Sequence, residues 1–321
     1  MRSDTANKIL ERLKKGGCVS GEEMARQLGI SRAAVWKAVR SLRARGFAVS
    51  GEGSRGYALE ACRPPRAANI RAVTRVKAPL FLFDSVPSTN DVALKLLQEG
   101  CPHLTCVAAN RQSAGRGRLE RKFYSPPGTG VYMSVALRGI KSFSDLLVVT
   151  PAAAVAAKRA IEERFAVQTQ IKWVNDLYLQ GKKVCGILTQ SLTEKDGSIR
   201  GAVVGIGINV SGQMPPELQE KARSLKPDGV SEKQRDALIG AVLTHLEEVC
   251  RELSSRKFMD EYRACSCVLG RQVGFERGGM EYRGTAESID DDGALYVRAG
   301  AELIKINSGE ISLSFPAGQG G

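Results

Sequence analysis

Asn110-Arg111-Gln112-Ser113-Ala114-Gly115-Arg116-Gly117-Arg118 is the stretch on which the fold and chemistry of this chain turn. It follows a strand-like apolar run, Cys106-Val107-Ala108-Ala109. Glycine takes positive φ without strain and lets backbone N–H groups come close to a ligand. Arginine presents a planar fork suited to phosphate or carboxylate. Two glycines around Arg116, with Arg118 just beyond, point to an anion-binding loop at the end of a strand. A basic surface loop or an RNA-contacting patch fits the same nine residues, so the flanking sequence has to decide.

Upstream, Leu80-Phe81-Leu82-Phe83-Asp84 reads as a strand. Ser88, with Asp91 three residues later, caps a helix carrying Val92, Leu94, Leu96 and Leu97. Ser88, Thr89 and Asn90 thus sit where first-turn N–H groups converge, a ligand-orienting position or a plain N-cap. Downstream, Val131 to Leu137 is a strand and Ala152 to Phe165 an Ala-rich helix. Gln168 to Asp176 is a strand ending in Lys172, Asn175 and Asp176. Leu177-Tyr178-Leu179 and Val184 to Thr189 form a hairpin about Gln180-Gly181-Lys182-Lys183. Ala202 to Val210 is a buried strand with Gly205 and Gly207 at alternate positions, where a ligand or backbone comes close. Asp or Asn can hold Mg²⁺ and Lys or Arg can hold phosphates, so these strand ends suit a triphosphate with a metal ion. No Walker motif and no protein-kinase signature is present.

At 321 residues the chain has room for two or three domains. Hydrophobic content of 43% with 25% charged residues excludes a mainly disordered chain. The net charge of +13 implies a polyanionic partner, and it is concentrated. Residues 1–66 hold 14 Lys and Arg against 6 Asp and Glu. Of the 8 cysteines none forms a CxxC pair, and His103 and His245 are the only histidines, so zinc-site spacing is absent. The cysteines read mostly as buried thiols in a reducing compartment. Two histidines leave little room for a His-based nucleophile–base triad. No apolar h-region follows Met1 and no apolar run approaches the roughly 20 residues of a membrane span. A soluble cytoplasmic protein with no membrane partner is expected.

Residues 4–15 pattern as a helix ended by Gly16-Gly17, with Ile9, Leu10 and Leu13 on one face. Ser20-Gly21-Glu22-Glu23 is a capping box for a short helix closed by Gly29. Ser31 caps a third helix, Arg32 to Arg45, whose apolar face is Val35, Val39 and Leu42. Ser31, Arg32, Trp36, Lys37 and Arg40 are left to face DNA, as in the recognition helix of a helix-turn-helix. Strand, Gly-rich turn and strand follow as a wing, with Arg55 at its tip as a phosphate contact. A small protein-binding helical bundle is the competing reading, and the local charge favours DNA.

The motifs Ser88-Thr89-Asn90, Gln112-x-x-Gly115-Arg116-Gly117-Arg118, Lys172-Trp173-x-Asn175-Asp176, Gly181-x-Lys183-x-x-Gly186-Ile187-Leu188 and Gly205-Ile206-Gly207-Ile208-Asn209 occur in this order. In this arrangement the chain resembles the biotin protein ligase family. The winged module in front matches the type that also represses the biotin operon, and the resemblance covers essentially the whole chain. It implies an α+β multidomain fold: a winged helix-turn-helix over 1–62, a linker over 63–74, and a catalytic domain over 75–266. That domain would be a class II synthetase-like mixed sheet with helices on one side. Residues 267–321 would form a C-terminal SH3-like barrel, with Asp290-Asp291-Asp292-Gly293 as a hairpin turn or, alternatively, a metal-binding loop, and a frayed tail from Pro316.

The resemblance also implies two-step chemistry. Biotin and ATP with Mg²⁺ give biotinyl-5′-AMP, and biotin then passes to a lysine of the biotin carboxyl carrier protein. By position, Ser88, Thr89, Asn90 and Gln112 would bind biotin, and Arg116, Gly117 and Arg118 would close over the adenylate as a lid ordered by its ligand. Lys183 would contact the carboxylate, making Lys183, Arg118 and Arg116 the catalytic set. Gly115, Arg121, Phe123, Lys172, Asn175, Asp176 and Asn209 would serve ATP or the adenylate, with Asp176 as the Mg²⁺ ligand. The adenylate-bound form would dimerise through the central domain and bind biotin operator DNA. Val174, Glu120 and Phe123 depart from the family's usual Pro, Gly and Trp. Two other readings remain: a winged-helix regulator with a non-catalytic sensing domain, and a ligase for another acid such as lipoate.

Overall fold

The protein is described by a computed structural model covering residues 2–14, 18–44, 49–51, 56–59 and 64–313. Gly16-Gly17, Arg55, Cys62 and the Pro316–Gly321 tail lie outside the described residues.

The N-terminal module is α1 (Arg2–Lys14), α2 (Gly21–Leu28), α3 (Arg32–Ala44), and a two-stranded ribbon of β1 (Val49–Ser50) and β2 (Ala58–Leu59). Ile9, Leu13, Met24, Val35, Val39, Leu42 and Tyr57 form a core of their own. Caps set the helix boundaries. Ser20 Oγ accepts from Glu23 N at 3.0 Å, Gly29 ends α2 at φ +61°, and Ser31 Oγ accepts from Ala34 N at 3.1 Å. Only the serine half of the expected capping box forms, because the Glu23 carboxylate is taken by Arg26 and by Gln27 Nε2 at 2.6 Å.

The stretch expected as a linker is ordered. Pro64-Pro65 precede a helix rather than prevent one, and α4 (Ala67–Arg71) docks through buried Ile70.

The central domain runs β3 (Leu80–Val86), α5 (Thr89–Gln98), β4 (Thr105–Gln112), β5 (Gly130–Leu137), α6 (Phe143–Leu147), α7 (Val149–Phe165), β6 (Gln170–Lys172), β7 (Asp176–Leu179), β8 (Lys182–Thr193), β9 (Ile199–Asn209), α8 (Glu232–Arg251) and α9 (Phe258–Ala264). Its strands form one mixed sheet in the order β3-β4-β5-β9-β8-β7-β6, parallel only between β3 and β4. A full capping box, Ser231 with Gln234, starts α8. Asp236 on α8 accepts from Arg66 N at 3.0 Å and Asn69 Nδ2 at 2.8 Å, and Gly240 leaves room for the Ile70 carbonyl, where a Cβ would come within 2.6 Å.

The expectation of helices on one side of the sheet is corrected. α7 and α8 cover one face, while α5 covers part of the other through Ala93 and Leu97 against Val107, Ala136 and Val203. Both faces of β4, β5 and β9 carry apolar side chains, so both demand cover. The part of the second face that α5 leaves open is the cavity described below.

The C-terminal unit is β10 (Gln272–Arg277), β11 (Met280–Ile289), β12 (Leu295–Ala299), β13 (Glu302–Ile306) and β14 (Ile311–Leu313), a five-stranded antiparallel sheet in the order β13-β12-β11-β10-β14. Its inner residues Val273, Ala286, Leu295 and Val297 join the central core, and Trp173 Nε1 donates to Gly293 O at 2.8 Å. β14 escaped the sequence reading because three residues give too short an alternation. The Asp290 turn is structural: Asp290 Oδ1 accepts from Asp292 N and Ala294 N, and its Oδ2 pairs with Lys305 at 2.9 Å.

Among the described cysteines only Cys106, Cys185 and Cys267 are buried, fewer than expected. Burial pushes the Cys106 thiol up to about 12, so it is not a nucleophile at neutral pH. Among the described residues no helix is long and apolar enough to cross a membrane.

Candidate functional site

A cavity of about 540 Å³ opens over the β5-β9-β8 part of the sheet, beyond the N-terminus of α5. That is the size range of small-molecule sites. The alternation of β9 builds its floor. Ala202, Val204 and Ile208 are buried in the main core away from the cavity, while Gly205, Gly207 and Asn209 line it. On β8, Gly186 lines it too. The glycines matter because the space above them is filled. A Cβ at Gly205 would come 2.2 Å from Asn90 Oδ1, and one at Gly207 would come 2.5 Å from the Phe123 ring.

One end is a polar network. Ser88 caps α5, accepting from Asp91 N at 3.4 Å. Gln112 Oε1 accepts from Thr89 N at 2.8 Å and from Thr89 Oγ1 at 3.1 Å, and Gln112 Nε2 donates to Ser125 Oγ at 3.0 Å. Buried Ser134 lies 2.7 Å from Thr89 Oγ1 and donates to Asn90 Oδ1 at 2.6 Å. Asn90 Nδ2 donates to Gln190 Oε1 at 2.8 Å and Leu188 O at 3.3 Å. The amide of Asn90 is thereby spent on fastening α5 to the sheet, which makes it a wall of the site. Ser134 was legible as the one polar residue in an apolar strand; Gln190 carried no such signal.

The other end is charged. Lys183 Nζ lies 2.6 Å from Asp176 Oδ1, a buried oxygen that has this ion pair but no well-aligned hydrogen bond. The cis Trp173–Val174 peptide precedes Asn175. Asn175 Nδ2 donates to Ile187 O at 2.8 Å, and Asn175 Oδ1 accepts from Arg118 at 3.2 Å. Lys172 sits 5.4 Å from the Tyr178 ring centroid and 3.5 Å from its hydroxyl. Burial first, then the Asp176 charge, pushes the Tyr178 phenol up to about 12, so it stays neutral beside the cations.

The Gly-Arg-Gly-Arg loop spans both ends, and the Asn110-Arg111-Gln112 that lead into it are the last residues of β4. Gly115 sits behind the cavity wall, where a Cβ would come 2.7 Å from Ser125 Oγ, and Phe123 N donates to Gly115 O at 2.9 Å. Arg116 pairs with Asp91 at the start of α5. Gly117 N donates to Arg121 O at 2.7 Å, and Arg118 crosses to Asn175. Leu119 and Glu120 hold positive φ, +51° and +57°, the second at the position where the family's usual glycine is replaced. Arg121 pairs with Glu310 of the C-terminal unit at 2.8 Å.

Of the residues singled out from sequence for small ligands, all but Gly115 line this one cavity. The Phe123 ring lies on Gly207 and near Gly186, edge-on to Tyr132 with centroids 6.4 Å apart. Sequence reasoning missed Met214, Leu218 and Lys221 from the loop after β9, Glu310 from just before β14, and Ile311 at its start. Loops and a three-residue strand carry too little periodicity to mark them. Among the described residues no cluster of three or more His, Cys, Asp or Glu side chains could hold a metal by itself. On the N-terminal module, Ser31, Arg32, Trp36, Lys37 and Arg40 form one exposed surface of α3.

Three family models match in chain order. An HTH domain matches residues 5–58, the biotin/lipoate A/B protein ligase family residues 82–209, and a biotin protein ligase C-terminal domain residues 268–314. The bifunctional ligase/repressor BirA of Bacillus subtilis is 32% identical over 98% of this chain and 100% of its own. The biotin–[acetyl-CoA-carboxylase] ligase of Mycobacterium tuberculosis is 29% identical over 64% of this chain and 77% of its own. The Aquifex aeolicus biotin protein ligase, solved with biotin and ATP, aligns over 74% of this chain and 98% of its own, with TM-score 0.60 and 27% identity.

Proposed function

The chain belongs to the biotin protein ligase family and matches the bifunctional ligase/repressors across their domains, and from that premise we propose how its site works. The protein is a ligase that joins biotin and ATP as biotinyl-5′-AMP and passes biotin to a lysine of a biotin carboxyl carrier protein, such as that of acetyl-CoA carboxylase. The observation that carries this reading is the two-ended cavity: a neutral hydrogen-bonding end at Ser88, Thr89 and Gln112, and a cationic end at Arg118, Lys172 and Lys183.

A ureido ring suits the neutral end, Leu188, Met214 and Phe123 suit an apolar chain, and the carboxylate then falls among the cations. In the first step a biotin carboxylate oxygen bonds to the α-phosphorus of ATP, the bond to the β-phosphate oxygen breaks, and pyrophosphate leaves. In the second the carrier amine bonds to the acyl carbon and gives up a proton to water, the bond to the phosphate oxygen breaks, and AMP leaves. Neither step needs a protein nucleophile. Both need negative charge held and reactants aligned.

Lys183 stabilises the carboxylate and the acyl-phosphate oxygens, with Asp176 holding its ammonium until an anionic substrate takes over. Arg116, Gly117 and Arg118 close over the adenylate. Gly115 lets that loop lie close to Gln112, and Arg121, Phe123, Lys172, Asn175 and Asn209 border the nucleotide. Asp176 would be the residue to hold a Mg²⁺ ion carried by ATP, since Mg²⁺ is commonly held by one or two carboxylates plus substrate phosphates, once Lys183 turns from Oδ1 to the substrate anion. The ion would offset phosphate charge.

The protein is also a cytoplasmic repressor, pairing through its central domain when the adenylate is bound and seating Ser31, Arg32, Trp36, Lys37, Arg40 and Arg55 on biotin operator DNA. A sensing domain without catalysis would have no use for the Lys172, Lys183 and Arg118 set.

Purified protein incubated with labelled biotin, ATP, Mg²⁺ and a carrier domain is expected to label the carrier; no transfer would overturn the ligase reading. Lys183→Ala is expected to slow pyrophosphate release by about 10²-fold or more. In gel shifts on a biotin operator duplex, equal binding with and without biotin plus ATP would remove the corepressor role.

A further inference from the structure

The recognition helix carries a feature that general basicity does not require. α3 buries Val35, Ala38, Val39 and Leu42 and turns Trp36 outward, leaving that indole 47% exposed. Trp36 and Arg40 stand four residues apart and so share a face. The Arg40 guanidinium carbon lies 5.3 Å from the Trp36 ring centroid. Such a contact occupies one face of the guanidinium. The N–H donors lie in the guanidinium plane and so stay available, and the contact limits the side chain's rotamers, so less freedom is lost when the fork binds. The first turn of α3 contains no acidic residue, which leaves its positive end open to a phosphate.

Two base-edge chemistries match this pair. The guanine O6 and N7 accept a bidentate arginine fork, and the thymine 5-methyl offers an apolar contact in the same groove. The 5.3 Å between the two groups lies between one and two base-pair steps of about 3.4 Å each, so the pair spans neighbouring base pairs.

We propose that Trp36 and Arg40 act as one reading head in the major groove of duplex DNA. Arg40 reads a guanine and Trp36 reads the methyl of a thymine in the adjacent base pair. This rests on the reading of the N-terminal module as DNA-binding. It goes beyond that reading by assigning sequence selection to two named side chains, while Arg32 and Lys37 supply phosphate contacts without base preference.

The test uses the full chain with biotin, ATP and Mg²⁺ to enrich duplexes from a randomised pool. In an enriched duplex each guanine is replaced in turn by 7-deazaguanine, which lacks N7, and each thymine by uracil, which lacks the methyl. One deazaguanine is expected to weaken binding of the unmodified chain about tenfold, and an adjacent uracil about threefold. The deazaguanine should leave Arg40→Ala indifferent and the uracil Trp36→Ala indifferent, each variant being compared with its own binding to the unsubstituted duplex. Arg40→Lys is expected to keep the salt dependence of binding and lose the guanine preference, with thermal unfolding confirming that each variant is folded. Trp36→Phe keeps a ring face and is expected to retain part of the uracil effect. If every replacement weakens the unmodified chain and the variants alike, or the sensitive guanine and thymine are not adjacent, the reading head is wrong. If no duplex is enriched at all, the DNA-binding reading falls and takes this proposal with it.

Discussion

The two faces of the seven-stranded sheet are made from the same strands and do opposite things. On the face under α7 and α8, Val204, Ile206 and Ile208 of β9 are buried with Cys185 and Ile187 of β8. On the other face the neighbouring positions are Gly205, Gly207 and Gly186, with Phe123 and Asn90 lying where side chains would otherwise stand. A strand alternates its side chains, so one run of residues can hold the core with every second position and leave a binding floor with the rest. Because the floor is backbone, its shape is set by the core behind it. The two faces should therefore fail differently: one in stability, the other in binding.

The largest effect is expected on the closed face. Ile208→Ala should cost about 2–5 kcal/mol of unfolding free energy in a denaturant titration, since it opens a cavity in a packed core. Biotin affinity of the remaining folded protein should change little. A large affinity loss without a stability loss would break the comparison.

On the open face, Gly207→Val should do the reverse. A Cβ there meets the Phe123 ring at 2.5 Å, and overpacking typically costs about 1–3 kcal/mol. If that cost falls on the bound state, KM for biotin rises by about 5- to 150-fold while the thermal midpoint moves only slightly. A variant that melts early and binds normally would show that the glycine serves packing.

A smaller effect separates the faces by pH. The Arg256 guanidinium, by hydrogen bonding to Asp145, holds that carboxyl below its usual 3.8. Between the lowered value and the usual one the unfolded chain binds more protons, so stability there rises with pH. The contribution is complete above about pH 4 and lost as pH falls through the folded-state value. Asp145→Asn should flatten that acid limb, measured as unfolding free energy between about pH 5 and about pH 2.

The smallest effect belongs to the rim of the open face. Glu120 at φ +57° costs roughly 1–3 kcal/mol that glycine would avoid. Glu120→Gly is expected to lower KM for biotin relative to Glu120→Ala, which loses the charge but keeps the strain. Equal values for the two would show that the loop gives up this conformation when it binds.

Much of the architecture was legible before the structure because its signals are short-range. Ser20, Ser31, Ser88 and Ser231 each mark a helix start through an N–H three residues on. The apolar stripe of Val35, Val39 and Leu42 identified the buried side of α3. Gly205 and Gly207 showed on which alternation of β9 something comes close. α4 was hidden because its support lies elsewhere: Arg66 and Asn69 meet Asp236 at separations of 170 and 167 residues. The Pro64-Pro65 dipeptide argued against a helix, and docking on α8 outweighed it. Glu310 was hidden in the same way, since its partner Arg121 belongs to another domain.

By itself, then, the sequence determined the local elements, the winged helical module, and the ordered motifs that place this chain in its family. Periodicity, caps and spacing act over a few residues and survive without a tertiary frame. The tertiary structure alone decided which ends of those elements converge. It set Lys183 against Asp176, reached Arg118 across to Asn175, spent the Asn90 amide on fastening α5, and brought Glu310 to the rim. Those pairings depend on how two sheets and their helices pack, which no window of sequence contains.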